Sequence, residues 1–245
     1  SESIYLGTAS GGEPSLAIFA PNGAMLDNTP VTAGRAVAIA NLPSTGTYTI
    51  AVYEDSADEV MVYGLSAISY TANPTLTGDS GALTSGVTRR GHIDYGDIDV
   101  FTVNAGQGQS IALTLSDVGR DDFAPQLIVV SPTGAQISST AAVNGIISVN
   151  TAVATAGIYK FLVFEQNADF VGDYAVTASL TGAVQPTTGD SGPLALNTPR
   201  AGSIMLGDLD VYTYTASAGV NFAVNVGETA ASTGFNVRMI VYRPD

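Results

Sequence analysis

Two aspartates separated by one residue occur twice in the same setting, as Gly96-Asp97-Ile98-Asp99-Val100 and as Gly207-Asp208-Leu209-Asp210-Val211. In an extended segment alternate side chains share a face, so Asp97 and Asp99 stand side by side, as do Asp208 and Asp210. Close carboxylates repel unless a cation or backbone N–H groups lie between them. Two readings stay open. Asp97, Asp99, Asp208 and Asp210 are candidate calcium ligands, or one aspartate of each pair caps a turn through neighbouring N–H groups while the other is solvated. Acid–base hydrolysis by such a pair needs a cleft between the carboxylates.

The remaining reactive residue types offer less. Gly189-Asp190-Ser191-Gly192-Pro193, echoed at Gly78-Asp79-Ser80-Gly81, has the look of a serine-protease nucleophile loop. A nucleophilic serine needs a histidine base and an orienting carboxylate. The single histidine, His92, serves at most one of the two copies, and Ser203 takes its place in the other. The Gly-Asp-Ser-Gly runs therefore read as turns in linkers, His92 as a surface or turn residue, and no residue is assigned as catalytic. Glu54, Asp55, Asp58 and Glu59, matched by Glu165, Asn167 and Asp169, form an acidic hairpin tip, either solvated or a weak calcium site. The tyrosines fall mostly on strands and tryptophan is absent, which disfavours an aromatic platform for glycans.

The elements that must position these residues are short strands. Ile111, Leu113 and Leu115 alternate with Ala112 and Thr114, the period of a half-buried strand. Strands are expected at 87–94, 98–104, 110–116, 126–131, 135–138, 145–150, 158–165 and 171–180. The strand 158–165 is apolar on both faces past Lys160 and therefore central, with Lys160 itself solvated. No window shows a helical stripe. About eight strands in a hundred residues imply an all-β fold of tandem antiparallel β-sandwich repeats, jelly-roll or Greek-key in topology.

The repeat is legible directly. Thr77-Gly78-Asp79-Ser80-Gly81 recurs as Thr188-Gly189-Asp190-Ser191-Gly192. The shift from Thr77 to Thr188 also carries the first Gly-Asp-x-Asp run onto the second, Pro21-Asn22-Gly23 onto Pro132-Thr133-Gly134, Gly46 onto Gly157, and Tyr63 onto Tyr174. The expected organisation is repeat 1 over 1–70, a linker at 71–83, repeat 2 over 84–180, a linker at 181–193, and repeat 3 over 194–245. Repeat 1 begins at Ser3-Ile4-Tyr5-Leu6, aligned with Ser110-Ile111-Ala112-Leu113 through a four-residue deletion, and lacks opening strands. Repeat 3 holds the first half only. Any targeting segment would lie upstream of Ser1.

Composition bounds the setting. Of 245 residues 45% are hydrophobic and only 12% charged, which excludes intrinsic disorder and leaves a surface of Ser, Thr, Asn and Gly. With 22 Asp and Glu against 8 Lys and Arg, the net charge of −14 repels nucleic acid and anionic membranes and attracts divalent cations. The absence of cysteine removes disulfides, thiolate metal sites and cysteine nucleophiles. No run of 18 apolar residues exists, so no membrane insertion is expected.

Gly202-Ser203-Ile204 followed by Gly207-Asp208-Leu209-Asp210-Val211-Tyr212, with its counterpart Gly91-His92-Ile93 and Gly96 to Phe101, resembles the opening of the bacterial pre-peptidase C-terminal (PPC) domain. The later landmarks follow in order: Pro-x-Gly at Pro21 and Pro132, Gly-x-Tyr at Gly46 and Gly157, and closing strands with Tyr63 and Tyr174. The resemblance implies a jelly-roll sandwich found as an accessory module of secreted bacterial proteins. Such modules are not catalytic, bind polymers or act as spacers, and are in some relatives rigidified by calcium. The expected protein is secreted or at the bacterial cell surface. It is a structural or interaction subunit of a filamentous assembly joined head-to-tail, or a piece of a longer array. The other class is a polymer-binding accessory module of a larger secreted hydrolase.

Overall fold

The structure is a computed structural model that describes residues 2–8, 14–29, 35–40, 42–54, 60, 62–69, 78–119, 122–167, 170–183, 190–227 and 238–242. Among these the regular elements are all strands. The first set is β1 (Glu2–Thr8), β2 (Pro14–Phe19), β3 (Met25–Thr29), β4 (Arg35–Ala40), β5 (Thr49–Glu54) and β6 (Tyr63–Ser69), arranged as two three-stranded sheets, β4-β1-β6 and β3-β2-β5.

The second set is β7 (Gly81–Ala82), β8 (Arg89–Ile93), β9 (Asp99–Ala105), β10 (Ser110–Asp117), β11 (Pro125–Val130), β12 (Gln136–Ala141), β13 (Ile146–Ala152), β14 (Gly157–Glu165) and β15 (Gly172–Leu180). A four-stranded sheet β13-β10-β15-β8 faces a five-stranded sheet β12-β11-β14-β9-β7. Every pairing is antiparallel except β7 with β9. β16 (Gly192–Pro193) and β17 (Tyr212–Thr213) then pair in the same parallel way, at the positions that the repeat shift assigns to Gly81–Ala82 and Phe101–Thr102. The order β4-β1-β6 repeats β13-β10-β15, and β3-β2-β5 repeats β12-β11-β14.

The sandwich of the second set closes over one core. Phe101 and Val103 of β9, Leu127 and Val129 of β11, and Tyr159, Phe161 and Val163 of β14 meet Ile93, Ile111, Leu113, Leu115, Tyr174 and Val176 from the facing sheet. All eight expected strands are present within a few residues of their bounds, and the all-β sandwich architecture stands.

Two turn landmarks prove to be one packing unit. Gly157 (φ 143°) and Gly46 (φ 158°) have backbones that side chains resist. A Cβ on Gly157 would lie 2.8 Å from Cβ of Pro132, and one on Gly46 would lie 2.5 Å from Cγ of Pro21. The tyrosine two residues on donates back across the turn, Tyr48 to the Ser44 carbonyl (2.6 Å) and Tyr159 to the Thr155 carbonyl (3.1 Å). The Pro-x-Gly and Gly-x-Tyr signatures are thus the two sides of one corner.

Four expectations are corrected. Lys160 is not solvated but 2% exposed. β14 is the middle strand of five, and Lys160 sits in register between Val130 and Thr102, beside an outer-face apolar cluster of Val100, Val130 and Leu162. Glu165, assigned to a solvated tip, is buried and accepts the Asn167 N–H. Its counterpart Glu54 ends β5, while Asp55, Asp58, Glu59 and Asp169 of the two tips lie outside the described residues. Gly81–Ala82 and Gly192–Pro193, counted as linker, are strands. Finally, β1 aligns two residues away from the sequence match. Ile4 pairs with Ala38 and Ala67 as Leu113 pairs with Val149 and Ala178, so Ile4 matches Leu113 rather than Ile111. A two-residue slip keeps every side chain on its own face, so alternation could not detect it.

Candidate functional site

Asp99 opens β9 at the sheet edge and is 3% exposed. The Tyr174 hydroxyl on β15 donates to its Oδ2 (2.6 Å) and Ser80 Oγ to its Oδ1 (3.3 Å). Ser80 Oγ also accepts the Val100 N–H (2.8 Å), which ties the segment before β7 to the start of β9. Asp97 lies in the turn before β9 and accepts the Ile98 N–H on Oδ1 (2.8 Å), and Asp79 Oδ2 accepts the His92 N–H (2.7 Å). Arg89 spans the group from above. Its guanidinium donates to the carbonyls of Asp79 (3.2 Å) and Ala82 (3.4 Å) and lies 5.6 Å over the Phe101 ring.

Burial sets the electrostatics. The Asp99 carboxyl is pushed up to about 6 by loss of water, with the Asp97 and Asp79 charges adding to the rise and the Tyr174 hydrogen bond opposing it. Asp97 is raised too, again chiefly by burial. The Tyr174 hydroxyl is driven up by burial and then by the Asp99 charge, so it stays a proton donor at every relevant pH. Gly91 makes this contact possible, since a Cβ there would overlap the Tyr174 ring.

The same constellation recurs in the next repeat. Ser191 Oγ accepts the Val211 N–H (3.0 Å), Asp208 Oδ1 the Leu209 N–H (2.8 Å) and Asp190 Oδ2 the Ser203 N–H (2.6 Å). Arg200 donates to the carbonyls of Ser191 (3.2 Å) and Pro193 (3.3 Å) and lies 5.4 Å over Tyr212. Asp210 is raised to about 6 by burial first, then by Asp208 and Asp190. Two contacts differ: Ser80 and Tyr174 both donate to Asp99, whereas among the described residues neither a serine nor a tyrosine hydroxyl is hydrogen-bonded to Asp210.

The pairs proposed from sequence are therefore turn and edge formers in large part. Asp97 and Asp208 cap their turns as that reading expected, but Asp99 is buried and bonded, not solvated. Among the described residues no three carboxylate or imidazole groups converge, so a calcium ion here would take Asp97 and Asp99, or Asp208 and Asp210, with backbone or water oxygens. The serines of the Gly-Asp-Ser-Gly runs accept backbone N–H groups. His92 is exposed, with its Nδ1 2.6 Å from Asp173 and its Nε2 3.6 Å from Asp94, and the Asp173 hydrogen bond raises its pKa. Sequence reasoning missed Ser80, Tyr174 and Arg89 as site members. Arg89 and Arg200 are related by the same shift as Thr77 and Thr188, a signal that could have found them.

No family model matches the chain, and no curated protein does. Among solved structures it is similar to the pre-peptidase C-terminal domain of a Bacillus anthracis collagenase, at 16% identity over 43% of this chain and 100% of that one (TM-score 0.36). It is also similar to a periplasmic inhibitor of g-type lysozyme from Aeromonas hydrophila (15%, 42% of this chain and 96% of that, TM-score 0.34). A third is a surface-associated copper-binding protein of Methylomicrobium album BG8 (9%, 42% and 98%, TM-score 0.32). The sandwich architecture rests on the strand order itself. Among the described residues no helix is long and apolar enough to cross a membrane, which says nothing of a β-barrel.

Proposed function

We propose that this chain is a non-catalytic structural and interaction protein of the bacterial surface or extracellular space, built from three sandwich repeats and joined head-to-tail by strand complementation. The supporting observation is that residues 2–69 and 190–216 hold different, mutually complementary parts of one repeat. Residues 2–69 contain counterparts of β10 to β15, and residues 190–216 contain β16 and β17, counterparts of β7 and β9, with 200–204 at the place of β8 but not yet a strand. In the middle repeat β14 pairs with β9 and β15 with β8. Among the described residues β5 and β6 each pair on one side only.

Exposure follows those open edges. Tyr63 is 48% exposed where Tyr174 is fully buried, and Ile204 is 45% exposed where Ile93 is fully buried. Unpaired edges above an apolar face invite strand addition. A head-to-tail contact is heterologous and does not close on itself, so it grows a filament. Counterparts of β10 and β11 occur twice, in β1 with β2 and in 221–242. β1 and β2 already pair with β6 and β5 and so take those places. A non-catalytic role is supported by the engagement of Ser80 and Ser191 with backbone N–H groups.

Deleting Leu194 to Asp245 tests the proposal. The full chain should associate at tens of micromolar and show filaments by electron microscopy, and the truncated chain should stay monomeric in light scattering. Filaments from the truncated chain, or a monomeric full chain, would overturn the proposal.

A further inference from the structure

We infer that Tyr63 of one copy donates its hydroxyl to the Asp210 carboxylate of another, rebuilding across the joint the bond that Tyr174 makes to Asp99 within repeat 2. This rests on the head-to-tail proposal above and names the contact that sets its register.

Both halves of the site exist apart. On the acceptor side Asp190, Ser191, Arg200 and Asp208 repeat the hydrogen bonds of Asp79, Ser80, Arg89 and Asp97 to within a few tenths of an ångström, with Asp210 at the place of Asp99. Gly202 stands at the place of Gly91, and a Cβ there would lie 3.0 Å from Cβ of Asp190 and 3.2 Å from the Tyr212 hydroxyl, so this position too is kept free of a side chain beside the carboxylates. On the donor side Tyr63 opens β6 as Tyr174 lies at the start of β15. The following residues hold equivalent registers, with Gly64 opposite Gly7 and Ala175 opposite Ser116. Tyr63 makes no side-chain hydrogen bond among the described residues. Among the described residues, then, the Tyr63 hydroxyl has no side-chain acceptor and the half-buried Asp210 carboxylate no tyrosine donor.

The contacts between consecutive repeats point the same way. The turn at Gly96 packs on Gly64 of β6, and the turn at Gly207 packs on Ala175 of β15, with both partners moved by the repeat shift. A Cβ on Gly207 would lie 2.5 Å from the Ala175 carbonyl oxygen, and the Thr177 hydroxyl donates to the Gly207 carbonyl (2.7 Å). One contact thus recurs at both junctions. A composite sandwich of 190–216 from one copy and 2–69 from the next keeps its Gly207 turn on the first copy and offers its own β6 to the second copy's Gly96. The joint then continues the array without a second kind of contact.

The register predicts a cross-link. Asp173 faces His92 in repeat 2, so Val62 of one copy should face Ser203 of another. The chain has no cysteine, so Val62→Cys chains mixed with Ser203→Cys chains should form a disulfide heterodimer on mild oxidation. Val62→Cys mixed with Leu206→Cys should not. Tyr63→Phe should weaken association about ten- to a hundred-fold, the usual effect of removing a donor from a charged acceptor. That loss should disappear in an Asp210→Ala background, as a direct pair requires. The monomer's melt checks that Tyr63→Phe still folds. If wild type does not associate, the head-to-tail proposal falls and takes this inference with it. If wild type associates but Val62 and Ser203 do not cross-link, or Tyr63→Phe associates as wild type, this contact is wrong while head-to-tail joining stands.

Discussion

Replacing Asp99 by asparagine should stabilise repeat 2 at neutral pH. The carboxylate is almost wholly hidden from water, and its pKa of about 6 against an ordinary 3.8 measures the cost of keeping it ionised there. At about 1.4 kcal/mol per pH unit the difference amounts to roughly 3 kcal/mol. Asparagine keeps the contacts, since its carbonyl accepts from Tyr174 and its amide donates to Ser80 Oγ. The exchange of a charged for a neutral acceptor takes back about 1 kcal/mol or more. A net gain of about 1–2 kcal/mol remains, or roughly 5–15 °C in Tm for a domain of this size. The pH dependence gives the sign. Between 3.8 and about 6 the folded protein holds a proton that the unfolded chain has released, so wild-type stability falls as pH rises through that window and is level above it. Asparagine does not titrate, so its advantage should be full by pH 7–8 and turn into a deficit of about 1 kcal/mol near pH 4, where the wild-type carboxyl is neutral. Calorimetric melts of both proteins at pH 4, 5, 6 and 8 read this out. An asparagine variant less stable than wild type at pH 8 would refute the reasoning and show that the negative charge itself is used, as a calcium ligand would be.

Two further outcomes are expected. EDTA should leave the wild-type melting temperature unchanged in calcium-containing buffer, because the carboxylates of Asp97, Asp99 and Asp208 already have N–H or O–H donors; a drop of several degrees would assign calcium to Asp97/Asp99 or Asp208/Asp210, since a ligand held only by the folded state stabilises by mass action. Gly157→Val should destabilise repeat 2 by about 3 kcal/mol or more, because the φ of 143° and the Pro132 contact both oppose a branched side chain; a loss under about 1 kcal/mol in urea unfolding would show that the corner relaxes.

The constant shift between repeats, the period-2 alternation and the turn residues are local or self-referential signals, so the sequence alone determined the all-β class and the strands. Glycine at 46 and 157 was visible as a turn requirement, but its packing against Pro21 and Pro132, on a separate strand-ending turn, was not. Four features were decided only by tertiary structure. Lys160 is buried because its strand is the middle one of five, which depends on strand order and not on the residue's own polarity. β1 sits two residues from its apparent match, because a slip of two preserves both faces and only pairing with β4 and β6 sets the register. The Gly-Asp-Ser-Gly segment looked like linker because its residue types favour turns. Its Asp79 and Ser80 gain their role only from His92, Asp99 and Val100, brought within hydrogen-bond reach when the sandwich closes. Tyr174 joins Asp99 for the same reason: the two are far apart along the chain, and only the packing of one sheet on the other makes them neighbours.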